Sequence, residues 1–200
     1  MNELQLFNDD NLLPYQGDVR FMPRFFTRAE ADNYFDRLQN TIAWKQEPVK
    51  IFGREIMQPR LTAWYGDAGK TYSYSGITMQ AQAWTNELLT IKQAADKAAG
   101  VAFNSALLNL YRNGSDSMGW HQDNEPELGA NPVIASVSFG APRRFLLRHY
   151  ADKKTIREVI LSHGSLLLMQ GATQHHWEHS IPKTARPTGS RINITFRIIR

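Results

Sequence analysis

A histidine and an aspartate stand two residues apart in Gly119-Trp120-His121-Gln122-Asp123, and a second histidine, His179, follows in Trp177-Glu178-His179-Ser180. On an extended backbone residues i and i+2 point to the same face, so His121 and Asp123 can converge on one ion. With His179 they would offer two imidazole nitrogens and one carboxylate to one face of an octahedral metal, leaving three positions open. That donor set suits non-haem Fe(II), which needs vacant positions for oxygen and a co-substrate. A His and an Asp so spaced on a surface strand are the commoner situation, and the pair alone does not decide.

A second pattern lies at the C-terminus, in Arg191-Ile192-Asn193-Ile194-Thr195-Phe196-Arg197. Strand alternation puts Arg191, Asn193, Thr195 and Arg197 on one face and the three apolar residues on the other. Arginines facing the interior of a barrel are costly unless anions meet them. A dicarboxylate would, because guanidinium binds carboxylate in a bidentate fork. An edge strand with its arginines in water is the alternative.

These side chains need elements to position them. Thr27 and Glu30 make a capping box for a helix over 27–38, with Ala31, Tyr34, Phe35 and Leu38 on one face. Trp84, Leu88, Ile91, Ala95 and Ala98 repeat at helical spacing, and Gly100 ends that helix. Both stripes read as scaffold. From Ser105 onward short apolar or alternating runs follow one another, at 106–112, 132–139, 143–148, 156–161, 165–169, 175–180 and 191–199. Turn residues such as Asn113-Gly114, His163-Gly164 and Thr188-Gly189 separate them. The pattern predicts a mostly β domain, a sandwich or jelly roll, with two helices packed outside.

Bulk properties agree. Two hundred residues with 42% apolar content make one domain with an ordinary core, to which 10 Phe, 7 Tyr and 5 Trp contribute. No apolar run reaches the roughly 18 residues of a membrane span, and the first ten residues lack the order of a signal peptide. The chain has no cysteine, so disulfides and thiolate metal sites are excluded, and a reducing cytoplasm is the expected location, or a nucleus if the source is eukaryotic. A net charge of +4 is a weak pointer to an anionic partner.

The order Asn109-Leu110-Tyr111, His121-x-Asp123, His179 and Arg191-x-Asn193-x-x-x-Arg197 resembles the AlkB family of alkylated-nucleic-acid repair dioxygenases. The likeness runs from about Gln58 to Arg197. It includes Tyr111-Arg112-Asn113, Glu125-Pro126, Ile134 to Gly140 and His163-Gly164-Ser165-Leu166-Leu167.

The resemblance implies a double-stranded β-helix (jelly roll) in one domain over 1–200. About 1–100 would carry helices and nucleotide-recognition hairpins, and about 101–200 the catalytic core. It implies Fe(II) held by His121, Asp123 and His179, with 2-oxoglutarate and O2 as co-substrates. Arg191 would hold the distal carboxylate of 2-oxoglutarate, Tyr111 and Asn109 would hydrogen-bond it, Arg197 would assist near its chelating end, and Asn193 would line the pocket. The reaction would remove methyl groups from bases of the 1-methyladenine and 3-methylcytosine type, releasing formaldehyde. The implied partner is alkylated DNA, single-stranded or duplex, with RNA as a further substrate, and the enzyme would act as a monomer away from membranes.

Upstream, aromatic and basic residues cluster in Pro59 to Asp67 and Thr71 to Gly76. A base-modifying enzyme must take its target out of the stack and hold it between flat groups. By similarity Tyr74 and the ring of His121 would sandwich the base, Tyr72 and Glu125 would bind its edge, and Arg60, Arg148 and Lys70 would approach phosphates. Trp64 and Tyr65 read as core. Val49 to Ile56 reads as a hairpin with Gly53 at its turn, and Ile51-Phe52 resembles the finger with which duplex-repairing relatives push out a base. His163 reads as a turn residue, and His149 and Lys153-Lys154 as a solvated loop. One of the adjacent His175 and His176 at most would share a strand face with His179. A 2-oxoglutarate oxygenase acting on protein or a small molecule, or a binding module with an inactive metal site, are the alternatives.

Overall fold

The computed structural model describes residues 10–51, 54–69, 71–74 and 77–200, with the backbone alone described at 49–51, 54, 71–74 and 77–80. In chain order come β1 (Asp18–Met22), α1 (Arg28–Thr41), β2 (Pro48–Ile51), β3 (Arg54–Met57), β4 (Leu61–Gly66), β5 (Thr71–Tyr74) and β6 (Ile77–Gln80). Next are α2 (Asn86–Ala99), β7 (Ser105–Tyr111), β8 (Met118–His121), β9 (Ile134–Gly140) and β10 (Arg143–His149). The chain closes with β11 (Ile156–Leu161), β12 (Ser165–Gln170), α3 (Thr173–His176), β13 (Trp177–Ile181) and β14 (Arg191–Arg197).

The helices form where the sequence caps them. The Glu30 N–H donates to the Thr27 hydroxyl at 3.3 Å and the Glu30 carboxylate accepts from the Thr27 N–H at 2.9 Å, completing the box. The second helix starts later than the apolar stripe suggests, because Thr85 caps it by accepting from the Leu88 N–H at 3.2 Å. Trp84 therefore lies outside the helix, stacked on Phe196. Gly100, at φ 69°, takes the left-handed conformation that closes the last turn.

Ten strands make two sheets, one ordered β1-β12-β9-β14-β7-β4 and the other β11-β10-β13-β8. The strands within each sheet pair antiparallel, as expected of a jelly roll. The first hundred residues, read as helices and recognition hairpins, also supply strands to the barrel. β1 and β4 come from that half and form both edges of the large sheet.

The two faces of the large sheet have different fates. Ile192, Ile194 and Phe196 of β14 join Leu38, Leu88 and Ile91 of the helices in one apolar cluster. The opposite face, with Arg191, Asn193, Thr195 and Arg197, turns toward the small sheet and lines a cavity between the two. Helical cover on one side and a second sheet on the other explain why β14 is buried along its whole length.

Two sequence expectations fail locally. The run 175–180 is not one strand, since His175 and His176 belong to the short helix α3 and the strand begins at Trp177. Gly171, at φ 56°, bends the chain out of β12, and the Thr173 hydroxyl accepts from the Asp18 N–H at 3.0 Å, pinning a helical turn there. His149 is not solvated either. It is buried against Tyr15 and Trp177 and bonds to the Gln16 side chain at 2.9 Å. His163 keeps its turn role and adds a tie, accepting from the Gly140 N–H at 2.7 Å and reaching Asp32 of α1 at 3.1 Å.

Candidate metal and co-substrate site

His121 ends β8 and His179 sits in the middle of β13, directly opposite each other in the register. Their ring centroids are 4.2 Å apart. Asp123 lies two residues beyond the end of β8, in irregular backbone. Its N–H donates to the Gln174 side-chain oxygen at 2.9 Å, which fixes the turn that brings its carboxylate back to the histidines. One donor atom from each of the three lies within 4.8 Å of the others.

The protonation of these groups favours ligation. The Nδ1 of His121 lies 2.9 Å from the Gly119 carbonyl oxygen. A carbonyl only accepts, so Nδ1 carries a hydrogen, and Nε2, 3.7 Å from the Asp123 carboxylate, is the nitrogen on the side of the cluster. Burial, with His121 alongside, pushes His179 down to about 3, so its ring is neutral. Burial would raise Asp123, but Arg197 and the two imidazoles together hold its carboxyl well below the usual range. A neutral imidazole at His179 and an ionised carboxylate at Asp123 are states that a divalent metal requires.

The cations follow on β14. Arg197 donates to Asp123 through Nη2 at 2.6 Å and Nε at 3.2 Å. Arg191 is only 1% exposed, donates through Nη2 to the Ser138 hydroxyl at 2.9 Å, and lies 5.1 Å over the Tyr111 ring. Its Nε and Nη1 have no hydrogen-bond partner, and burial pushes the group down to about 10. Arg191 meets no carboxylate among the described residues. A buried guanidinium with two vacant donors matches a bound anion, and the triad beside it matches a metal. The cavity they share is lined by all eight residues expected to hold metal or co-substrate.

The model of the 2OG-Fe(II) oxygenase superfamily matches residues 18–197. The chain belongs to that superfamily. Within it the similarity is to AlkB proteins. The chain is 42% identical over 191 residues to alpha-ketoglutarate-dependent dioxygenase alkB homolog 3 of Homo sapiens, covering 90% of this chain and 66% of that protein. It is 40% identical over 184 residues to DNA oxidative demethylase ALKBH2 of Mus musculus, covering 87% and 77%. The chain thus spans just under two thirds of the length of the alkB homolog 3 protein. The solved structure of OsALKBH1 shares the fold, with a TM-score of 0.69 at 15% identity, covering 93% of this chain and 99% of that one.

Within this superfamily member the cavity separates residues that face the co-substrate space from those that brace it. Asn109 accepts from Arg60 Nε at 2.7 Å, so that atom is its oxygen and its NH2 remains for an acceptor. Asn193 is satisfied internally, donating to the Ser136 hydroxyl at 2.8 Å and accepting from Thr195 at 3.1 Å. It stiffens the wall.

The substrate side matches expectation less well. Arg60 is buried, with Nε committed to Asn109 and Nη1 to the Ser117 carbonyl, so it braces the co-substrate pocket and does not face a phosphate. Arg148 is bound to Glu178 at 2.6 Å and stacked on Trp120, which corrects its reading as an open phosphate contact. Glu125 is half-buried and precedes the 3-10 turn Pro126–Leu128, outside the cavity lining. Trp64 and Tyr65 are core. Tyr72 and Tyr74 lie on β5, but their side chains, like Phe52, Gly53 and Lys70 entirely, fall outside the described residues.

Two contributors went unread in the sequence. Gln174 holds the Asp123 backbone from a helical turn that no periodicity announces. Arg143 is buried and donates to the carbonyls of Asn113, Asp116 and Pro182 at 3.1, 2.8 and 2.8 Å. It lies 5.6 Å from the Tyr111 ring, opposite in role to a surface cation. A charged residue opening a strand after Gly-Ala-Pro gave no sign that three loops would close on it.

Proposed function

We propose that this chain is an Fe(II)- and 2-oxoglutarate-dependent dioxygenase, built as one domain, that oxidatively demethylates alkylated bases in DNA, and in RNA as a further substrate. The observation that carries the reading is one cavity holding a His-Asp-His cluster beside a buried arginine with vacant donors. The names of the relatives, a DNA oxidative demethylase and an alkB homolog, support the substrate class.

His121, Asp123 and His179 would hold Fe(II), and Arg191 would hold the distal carboxylate of 2-oxoglutarate in a bidentate fork. The bound metal supplies oxygen activation coupled to decarboxylation of the 2-oxo acid, which hydroxylates a methyl group on nitrogen. The chain's own groups orient and exclude. Arg197 fixes Asp123, Asn109 would offer its amide to the co-substrate, and Leu161 and Met169 give the cavity an apolar wall. The hydroxymethyl product loses formaldehyde and leaves the repaired base. Iron- and 2-oxoglutarate-dependent formaldehyde release from oligonucleotides bearing 1-methyladenine or 3-methylcytosine tests this reading. Release that is independent of 2-oxoglutarate would overturn it.

Duplex repair is part of the proposal. β2 and β3 pair with a register that runs to Ile51–Arg54, and the sequence between those two residues, outside the described ones, is Phe52-Gly53. A large apolar residue there would fill the space left by a flipped base and offset part of the unstacking cost. Phe52→Ala should therefore reduce demethylation of duplex DNA while sparing single strands. Equal losses on both, measured by formaldehyde release, would assign the residue a folding role instead.

A further inference from the structure

Trp120 stands next to a metal-site histidine but on the other face of the sheet. β8 is the edge strand of the small sheet, and because His121 faces the cavity Trp120 faces outward. Trp120 is 36% exposed, whereas Trp64 and Trp177 are buried and Trp44 and Trp84 half-buried. One side of its ring is covered by the Arg148 guanidinium, whose carbon lies 4.1 Å from the ring centroid. Arg148 is held in turn by Glu178, a carboxylate only 7% exposed, which also binds Lys153 at 2.9 Å. Lys153 Nζ sits 4.1 Å over the ring of Tyr150, which is 53% exposed.

The outcome is a fixed chain of flat and charged groups running from the edge of β8 to the β10–β11 turn. A large exposed indole normally loses rotamer freedom when something binds it. Here the cation behind the ring, itself anchored by a buried anion, has already fixed it. The set carries two cations against one carboxylate, so its surplus charge suits a polyanion. A preorganised ring with cations beside it is the arrangement that binds single-stranded nucleic acid without sequence preference. The His121 side chain is 23% exposed, so the cavity opens at this same strand edge. A strand that enters at this edge has Trp120, one residue from His121, beside it.

We infer that Trp120, backed by Arg148, is a stacking platform for a base flanking the reacting one in a single-stranded substrate. The inference rests on the nucleic-acid reading given above.

The test compares KM for formaldehyde release from a methylated single-stranded oligonucleotide with KM for the matching methylated mononucleotide, which has no flanking base. Trp120→Ala should raise the oligonucleotide KM on the order of 5- to 100-fold and shrink its advantage over the mononucleotide. Trp120→Phe, which keeps a ring, should restore most of that advantage. An undiminished advantage in Trp120→Ala would overturn the platform. So would equal losses on both substrates, which would point to damage at His121. An unchanged ratio with an altered oligomeric state in sedimentation would assign the face to contact between copies of the chain, aided by the exposed Ile156 and Ile160. If the wild-type chain releases formaldehyde from neither substrate, the proposed function fails. Fluorescence anisotropy with an unmodified oligonucleotide against a mononucleotide then decides the platform by the same ratio.

Discussion

Asp123→Ala should abolish turnover and destabilise the protein at once. The first effect follows from removing one of three candidate ligands. The second follows from Arg197, whose side chain is 7% exposed and donates two hydrogen bonds to that carboxylate. Taking the anion away from a buried ion pair typically costs about 3–5 kcal/mol, because the remaining charge stays desolvated. Asp123→Asn separates the effects, since the amide oxygen can still accept from Arg197 while the charge needed for the metal is gone. It should be as inactive as the alanine variant but unfold at a denaturant concentration nearer the wild type. An alanine variant that retained most of its formaldehyde release would remove Asp123 from the metal site.

Arg191→Met should behave in the opposite way toward stability. In the wild-type protein two donors of this guanidinium lack partners, and burial lowers its proton affinity. Its charge therefore costs the unliganded protein free energy that a bound dicarboxylate would recover. A methionine of similar reach fills the space without the charge, so the unliganded variant should unfold at the same or a higher temperature. Affinity for 2-oxoglutarate should fall by about 2–4 kcal/mol, or roughly 30- to 1,000-fold, as the charge-assisted fork is lost. Calorimetric titration with 2-oxoglutarate checks the binding and thermal unfolding checks the stability. An unchanged titration would return Arg191 to a purely structural role.

The candidate site was largely legible because its residues obey short-range rules. Spacing by two put Arg191, Asn193, Thr195 and Arg197 on one face, and burial of that face follows from the second sheet opposite. The capping box and the glycine stop marked the helices by local hydrogen-bonding chemistry. Illegible features depended on contacts distant in sequence. Arg60 and Asn109 are 49 residues apart, and only the pairing of β4 with β7 turns a basic residue in an aromatic segment into an internal brace. His149 reads as polar loop until Tyr15, from the first segment of the chain, covers it. The places of β1 and β4 at the edges of the large sheet depend on partners, β12 and β7, that lie far along the chain.

The most direct measurement couples the two halves of the reaction. With Fe(II), O2 and a single-stranded oligonucleotide bearing 1-methyladenine, the chain should form formaldehyde and succinate in equal amounts. Both should stop when 2-oxoglutarate is omitted or iron is chelated. Succinate formed without loss of the base methyl group, on this and on the 3-methylcytosine substrate, would contradict demethylation of nucleic acid as the function.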